Sequence, residues 1–189
     1  MKTSAPPKPK FTYPKIILSL GNPGKEYSST YHNAGHLFID YLLKKSYLSQ
    51  STLSKPTPNL ICYKSKNQLI CQSLTFMNVS GLALKDAFKI HKFKPEEILI
   101  VQDDSDISLG SYKLSIDKNS AGHKGIESII KTLSSKKFWR LRIGIRPSKE
   151  KARVKAESFV LKKINPTNKK ILYSMFAGII EKVIEKDTP

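Results

Sequence analysis

Along this chain the apolar residues switch repeatedly between short continuous runs and the helical period, and that alternation leaves few folds open. Lys15 to Leu20 is a short apolar run closed by Gly21-Asn-Pro-Gly24, which reads as a buried strand and its turn. From Thr30 to about Lys45 the residues Ala34, Leu37, Phe38, Tyr41 and Leu42 recur at helical spacing, with Thr30 as the expected N-cap and His32 in the first turn. Asn59 to Lys64 and Gln68 to Ser73 read as a hairpin across Ser65-Lys-Asn67. A helix follows Thr75-Phe-Met-Asn-Val-Ser-Gly81 and ends near Lys92. The run Glu97-Ile-Leu-Ile-Val-Gln-Asp103 is a strand that stops on acids, and Ser111 to Ile116 is another. A helix from about His123 to Ser134, a strand from Phe138 to Ile145 and a basic loop over 146–157 come next. The last helix starts at Asn165-Pro166, and its apolar pairs 171/172, 175/176, 179/180 and 183/184 make a broad buried face. Strands alternating with helices predict an α/β single-domain three-layer fold, a mixed twisted sheet flanked by helices on both faces. In such sheets ligands collect where strands end and helices begin. The loop after the first strand, the loop before Gly81 and the acids after Val101 all occupy that class of position.

With 189 residues, 39% of them hydrophobic, the chain suits one domain with a substantial core. Thirty-three basic against fifteen acidic residues leave a formal charge of +18, which points to a polyanionic partner, nucleic acid first. No apolar run approaches the roughly 20 residues of a spanning helix, so no membrane partner is expected. Cys62 and Cys71 lie in strand-like runs without metal-type spacing, which favours a reducing compartment. Residues 1–14, rich in proline and lysine and free of acids, suit a flexible basic arm ahead of a domain over 15–189.

The chemistry-bearing residues are few. His32 has Asn22 on the preceding turn and Asp103 at the end of a buried strand; a carboxylate there would hold the imidazole tautomer while an amide orients substrate or water. The plainer reading is a helix-start histidine near an unrelated turn. His36, one turn on, forms a His-x3-His spacing that lacks a third metal ligand. Asp103-Asp-Ser-Asp106 is either a divalent-cation site or a solvated acidic loop. Gly21-x-x-Gly24 is too sparse for a phosphate loop, and Asn78 before Ser80-Gly81 reads equally as a helix cap. No Gly-x-Ser-x-Gly elbow and no paired Cys-His motif occurs, so water is the expected nucleophile.

Taken in order, the blocks Leu18-Ser-Leu-Gly-Asn-Pro-Gly-Lys-Glu-Tyr27, Thr30-Tyr-His-Asn-Ala-Gly35, Leu74-Thr-Phe-Met-Asn-Val-Ser-Gly81, Asp103-Asp-Ser-Asp-Ile-Ser-Leu-Gly110, Gly122-His-Lys-Gly125 and Phe138-Trp-Arg-Leu-Arg-Ile-Gly-Ile145 resemble the bacterial-type peptidyl-tRNA hydrolase family, over about Lys15 to Leu161. The resemblance implies a single α/β domain that hydrolyses the ester joining a peptide to the 3′ end of tRNA and returns the tRNA to translation, without metal or cofactor. It implies His32 as general base, Asp103 as its carboxylate partner, and Asn22 and Asn78 as substrate-positioning amides. Tyr27 and Met77 would line the cleft, and Arg142 falls on a position linked to phosphate contact.

Several positions depart from the family pattern. Tyr31 stands where arginine usually precedes the histidine, Lys124 replaces a substrate-site asparagine, and Ser115 replaces a basic phosphate contact that Lys113 or Lys118 would then supply. The family's glycine-rich loop reads Asp117-Lys-Asn-Ser120. These departures mark a divergent member, expected to act as a monomer on tRNA in the cytoplasm, with the mitochondrion as the alternative. The rival expectation is a non-catalytic RNA-binding member of the same fold. A further one, a metal-dependent phosphoesterase on Asp103, Asp104 and Asp106, predicts sensitivity to chelators.

Overall fold

A computed structural model describes residues 11, 13–44, 52–53, 57–65, 68–147 and 155–184. The chain forms β1 (Ile16–Ser19), α1 (Ala34–Lys44), β2 (Thr52–Leu53), β3 (Leu60–Lys64), β4 (Leu69–Ser73), α2 (Gly81–Ile90), β5 (Ile98–Ser108), β6 (Tyr112–Ile116), α3 (Lys124–Leu133), β7 (Trp139–Arg146) and α4 (Pro166–Ile179). The seven strands make one sheet in the order β2-β3-β4-β1-β5-β7-β6. Its centre, β4-β1-β5-β7, is parallel, while β3 and β6 run antiparallel to their inner neighbours. Helices cover both faces, as the alternation predicted. Leu37, Phe38 and Leu42 of α1 and Leu172, Phe176 and Ile179 of α4 pack with Ile17, Leu99 and Val101 on one side. Ala83, Leu84 and Ala87 of α2 and Ile126 and Ile129 of α3 pack with Ile16, Leu18, Ile98 and Ile100 on the other. Because the central strands are buried on both faces, they read as continuous apolar runs.

Three local differences have physical causes. Thr30 does not cap its helix with its side chain; its Oγ1 donates to Tyr27 O at 2.9 Å, and Tyr31–Asn33 form a 3-10 turn before α1 begins at Ala34. The strand expected to stop at Asp103 continues to Ser108, because its register on β7 shifts between Asp104 and Ser108 and the acids ride on a bulge. Cys62 and Cys71 stand opposite each other in the β3–β4 register and form a disulfide with Cα atoms 4.2 Å apart, a pairing the sequence reading did not anticipate. They lie equidistant from the hairpin turn, so pairing follows from the register.

Most of the expected arm, residues 1–10 and 12, and residues 148–154 of the expected basic loop lie outside the described residues. Phe11 packs edge-on against Trp139 with ring centroids 5.0 Å apart. Asn165 caps α4 as predicted, its Oδ1 accepting from Asn168 N at 2.8 Å.

Candidate active site

The site is assembled where the parallel strands end. A Cβ on Gly35 would fall 2.6 Å from Val101 O and 2.8 Å from Leu20 O, so only glycine lets the start of α1 lie this close to the ends of β1 and β5. That approach carries His32, just before the helix, over Asp103. The backbone donors of the 3-10 turn are met from outside it: Tyr31 N donates to Lys162 O (3.2 Å) and His32 N to Val160 O (2.8 Å). Asn33 then staples the loop after β1, accepting from Asn22 N at 2.8 Å and donating to Asn22 O at 2.9 Å. The Asn22 side chain reaches across to the loop after β4, where its Oδ1 accepts from Met77 N at 2.9 Å. With Oδ1 committed, the amide's remaining capacity is its Nδ2 donor.

Asp103 is 2% exposed, and its Oδ1 serves two histidines, with His32 Nδ1 at 2.8 Å and His123 Nε2 at 3.1 Å. His123 also caps α3, its Nδ1 accepting from Ile126 N at 3.4 Å, so its proton belongs on Nε2, donating to the carboxylate. For His32 the carboxylate likewise claims the Nδ1 proton and leaves Nε2 with a free lone pair. Burial works against a charged His32, but the charge and hydrogen bond of Asp103 outweigh it and raise the imidazole pKa above its ordinary 6.5. Burial alone would raise the Asp103 pKa; the two imidazoles reverse this and hold it well below the usual carboxylate range. The same three residues bring potential metal-ligating atoms within 4.8 Å of one another. Both histidines, however, spend the nitrogens facing Asp103 as hydrogen-bond donors to a single oxygen, which suits proton transfer.

This cluster opens onto a cavity of about 270 Å³ walled by Gln102, Asp104, Ser120 to Lys124, Ala156 and Val160. A Cβ on Gly125 would meet Met77 Sδ at 2.6 Å and His123 Cε1 at 3.1 Å, so glycine there lets the Met77 turn close against the start of α3. The three loops singled out in the sequence therefore do converge. A family model of peptidyl-tRNA hydrolases matches residues 16–186. The chain belongs to the peptidyl-tRNA hydrolase family. It is 37% identical to the peptidyl-tRNA hydrolase of Aquifex aeolicus over 163 residues, covering 84% of this chain and 82% of the relative. It is 40% identical to that of Mycoplasma capricolum over 166 residues, covering 86% and 87%. The crystal structure of the Acinetobacter baumannii peptidyl-tRNA hydrolase superposes with a TM-score of 0.78 at 31% identity, covering 94% of this chain and 90% of that one.

The other residues flagged for this family fall in distinct places. Tyr27 packs edge-on against Phe76 at 6.4 Å, and Met77 is buried at the turn. Asn78 is exposed and lines a neighbouring groove rather than the cleft, whereas Lys124 borders both and pairs with Glu127 at 3.3 Å. Arg142 stands opposite Lys113 across β6 and β7, and its Nε donates to Asp104 Oδ2 at 2.7 Å. Lys118 borders a separate cavity with Ser115 and Trp139. Tyr31 is buried, stacks edge-on with Phe159, and accepts from Asn168 Nδ2 at 2.6 Å, tying the His32 turn to α4. His36 is a core histidine: its Nδ1 lies 2.9 Å from Ser19 Oγ, and burial pushes its pKa down to about 4. Asp104 and Asp106 stand outside the potential metal-ligating cluster among the described residues.

Sequence reasoning passed over His123 and Asn33. His123 carried one local signal, its place in the Gly-His-Lys-Gly block at a helix start. Asn33 carried none beyond adjacency to His32.

Proposed function

We propose that this protein cleaves the ester linking a peptide to the 3′ end of tRNA, with His32 as general base. The observation that carries this is the Asp103 carboxylate on His32 Nδ1, 2.8 Å away, which leaves Nε2 basic beside an open cleft. Nε2 takes a proton from water as the water attacks the ester carbonyl. Asn22 Nδ2 donates to the ester carbonyl oxygen as charge develops on it, and the Asn78 amide, at the neighbouring groove, holds a backbone carbonyl of the peptide. The imidazolium, stabilised by Asp103, then returns its proton to the departing ribose oxygen, leaving a peptide carboxylate and free tRNA. Tyr27 and Met77 shape the cleft, and Lys124 adds a donor and a charge where the family has an amide. An activated ester needs only water, a base and donors, so the reaction requires no metal or cofactor.

Lys113, Lys118 and Arg142 are the residues proposed to meet tRNA phosphates, supported by the +18 balance of the chain. The bacterial sources of the relatives support the cytoplasm as its place of work. The test is cleavage of N-acetyl-aminoacyl-tRNA. His32→Ala should lower kcat at least about 100-fold while tRNA affinity stays within twofold. Failure of the purified wild type to cleave, alongside retained RNA binding, overturns the enzymatic assignment.

A further inference from the structure

Next to the catalytic cleft lies a second cavity, of about 560 Å³, between α2 and α3. Val79, Leu82 and Lys85 form one wall, Lys124 and Lys131 the other. The groove is built into the fold, because Gly81 N donates to Ser128 Oγ at 2.9 Å and sets the spacing of the two helices. Its floor is apolar yet open: Val79 is 40% and Leu82 43% exposed, and Leu74 and Phe76, at 41% and 55%, are further exposed apolar residues on the same connection from β4 into α2. Lys85 and Lys131 enter no ion pair among the described residues, while Lys124 is partly neutralised by Glu127. Of the residues lining this groove the proposed chemistry uses only Asn78 and Lys124.

The geometry points to this groove as the seat of the substrate's peptide, with Lys85 and Lys131 favouring chains that carry a carboxylate a few residues from the ester. This rests on the hydrolase reading above. Continuity argues for it: Lys124 borders both cavities, and Asn78 lines the groove from the same turn as Met77, whose N–H is held by the Asn22 amide. An extended peptide leaving the cleft past Lys124 therefore enters the groove directly. Composition argues for it too, since exposed valine and leucine between separated lysines match alternating side chains and backbone, whereas a phosphate track calls for contiguous cations. From Lys124 to Lys131 is two turns of α3, about 10 Å. An extended chain covers that in about three residues. A carboxylate at the third or fourth residue from the ester is then within reach of Lys131.

The experiment compares two N-acetyl-tetrapeptidyl-tRNAs that differ only in Glu or Lys at the third residue from the ester, with N-acetyl-aminoacyl-tRNA as the short reference. At low salt, wild-type kcat/KM should favour the Glu substrate by about three- to fivefold. The double variant Lys85→Glu/Lys131→Glu should reverse that preference and leave the short reference within twofold of wild type. Equal rates for Glu and Lys substrates overturn the proposal. So does a double variant that loses activity equally on short and long substrates, which would make the lysines tRNA contacts. No cleavage of the short reference by wild type overturns the hydrolase reading itself, and this proposal with it.

Discussion

Asp103 sets the state of two imidazoles at once, and the residue scale is where the chemistry is most exposed to test. Because it raises the His32 pKa, the proposed base is neutral, and able to accept a proton, only above a pH higher than the ordinary 6.5. The acid limb of kcat/KM against pH should therefore show an apparent pKa above about 6.5. Asp103→Asn removes the charge that holds the Nδ1 proton, so it should move that limb to lower pH and reduce kcat by about 10³- to 10⁴-fold. A limb that stays in place would mean that another group titrates. His32 and Asp103 were legible in the sequence because one opens a helix and the other closes an apolar strand. His123 was not, since a histidine before a helix reads first as a cap. It is a cap here as well, through Ile126 N, and only the fold turns its other nitrogen toward Asp103.

At the scale of elements, the site depends on close approaches and one strained loop. Gly35→Ala would drive a methyl into the carbonyls of Val101 and Leu20, and we expect a loss of about 2–3 kcal/mol in denaturant unfolding. Activity should fall as well, because the same approach seats His32 over Asp103. The loop from β6 to α3 holds Asp117 and Ala121 at φ +52° and +53°, the left-handed region that side chains resist. Ala121→Gly should therefore stabilise the protein by about 1 kcal/mol and raise Tm by about 2–4 °C, measured by thermal denaturation. Element types and order were readable from periodicity. The bulge in β5 was not, because the register shift arises in pairing with β7 and leaves no trace in the periodicity of β5 itself.

Over the whole molecule, a charge of +18 on 189 residues predicts salt-sensitive encounter with tRNA. A plot of log kcat/KM against log salt should fall with a slope of about −2 or steeper, and Lys113→Ala or Lys118→Ala should each flatten it by about one unit. A flat dependence would remove phosphate contact from the proposed mechanism.

By itself the sequence determined the layered α/β architecture, because burial on both faces of a sheet writes continuous apolar runs and one-sided burial of a helix writes a helical stripe. It also marked His32, Asn22 and Asp103, which sit where such runs end. Only the tertiary structure decided the rest. It joined Asn22 to Met77, set His32 and His123 on one oxygen, and paired Cys62 with Cys71. It set His36 against Ser19 and left Asn78 at a separate groove. Apart from the disulfide across its hairpin, those contacts link residues well separated in the chain, and their geometry is fixed by strand register and by the approach of α1 at Gly35, neither of which local periodicity encodes.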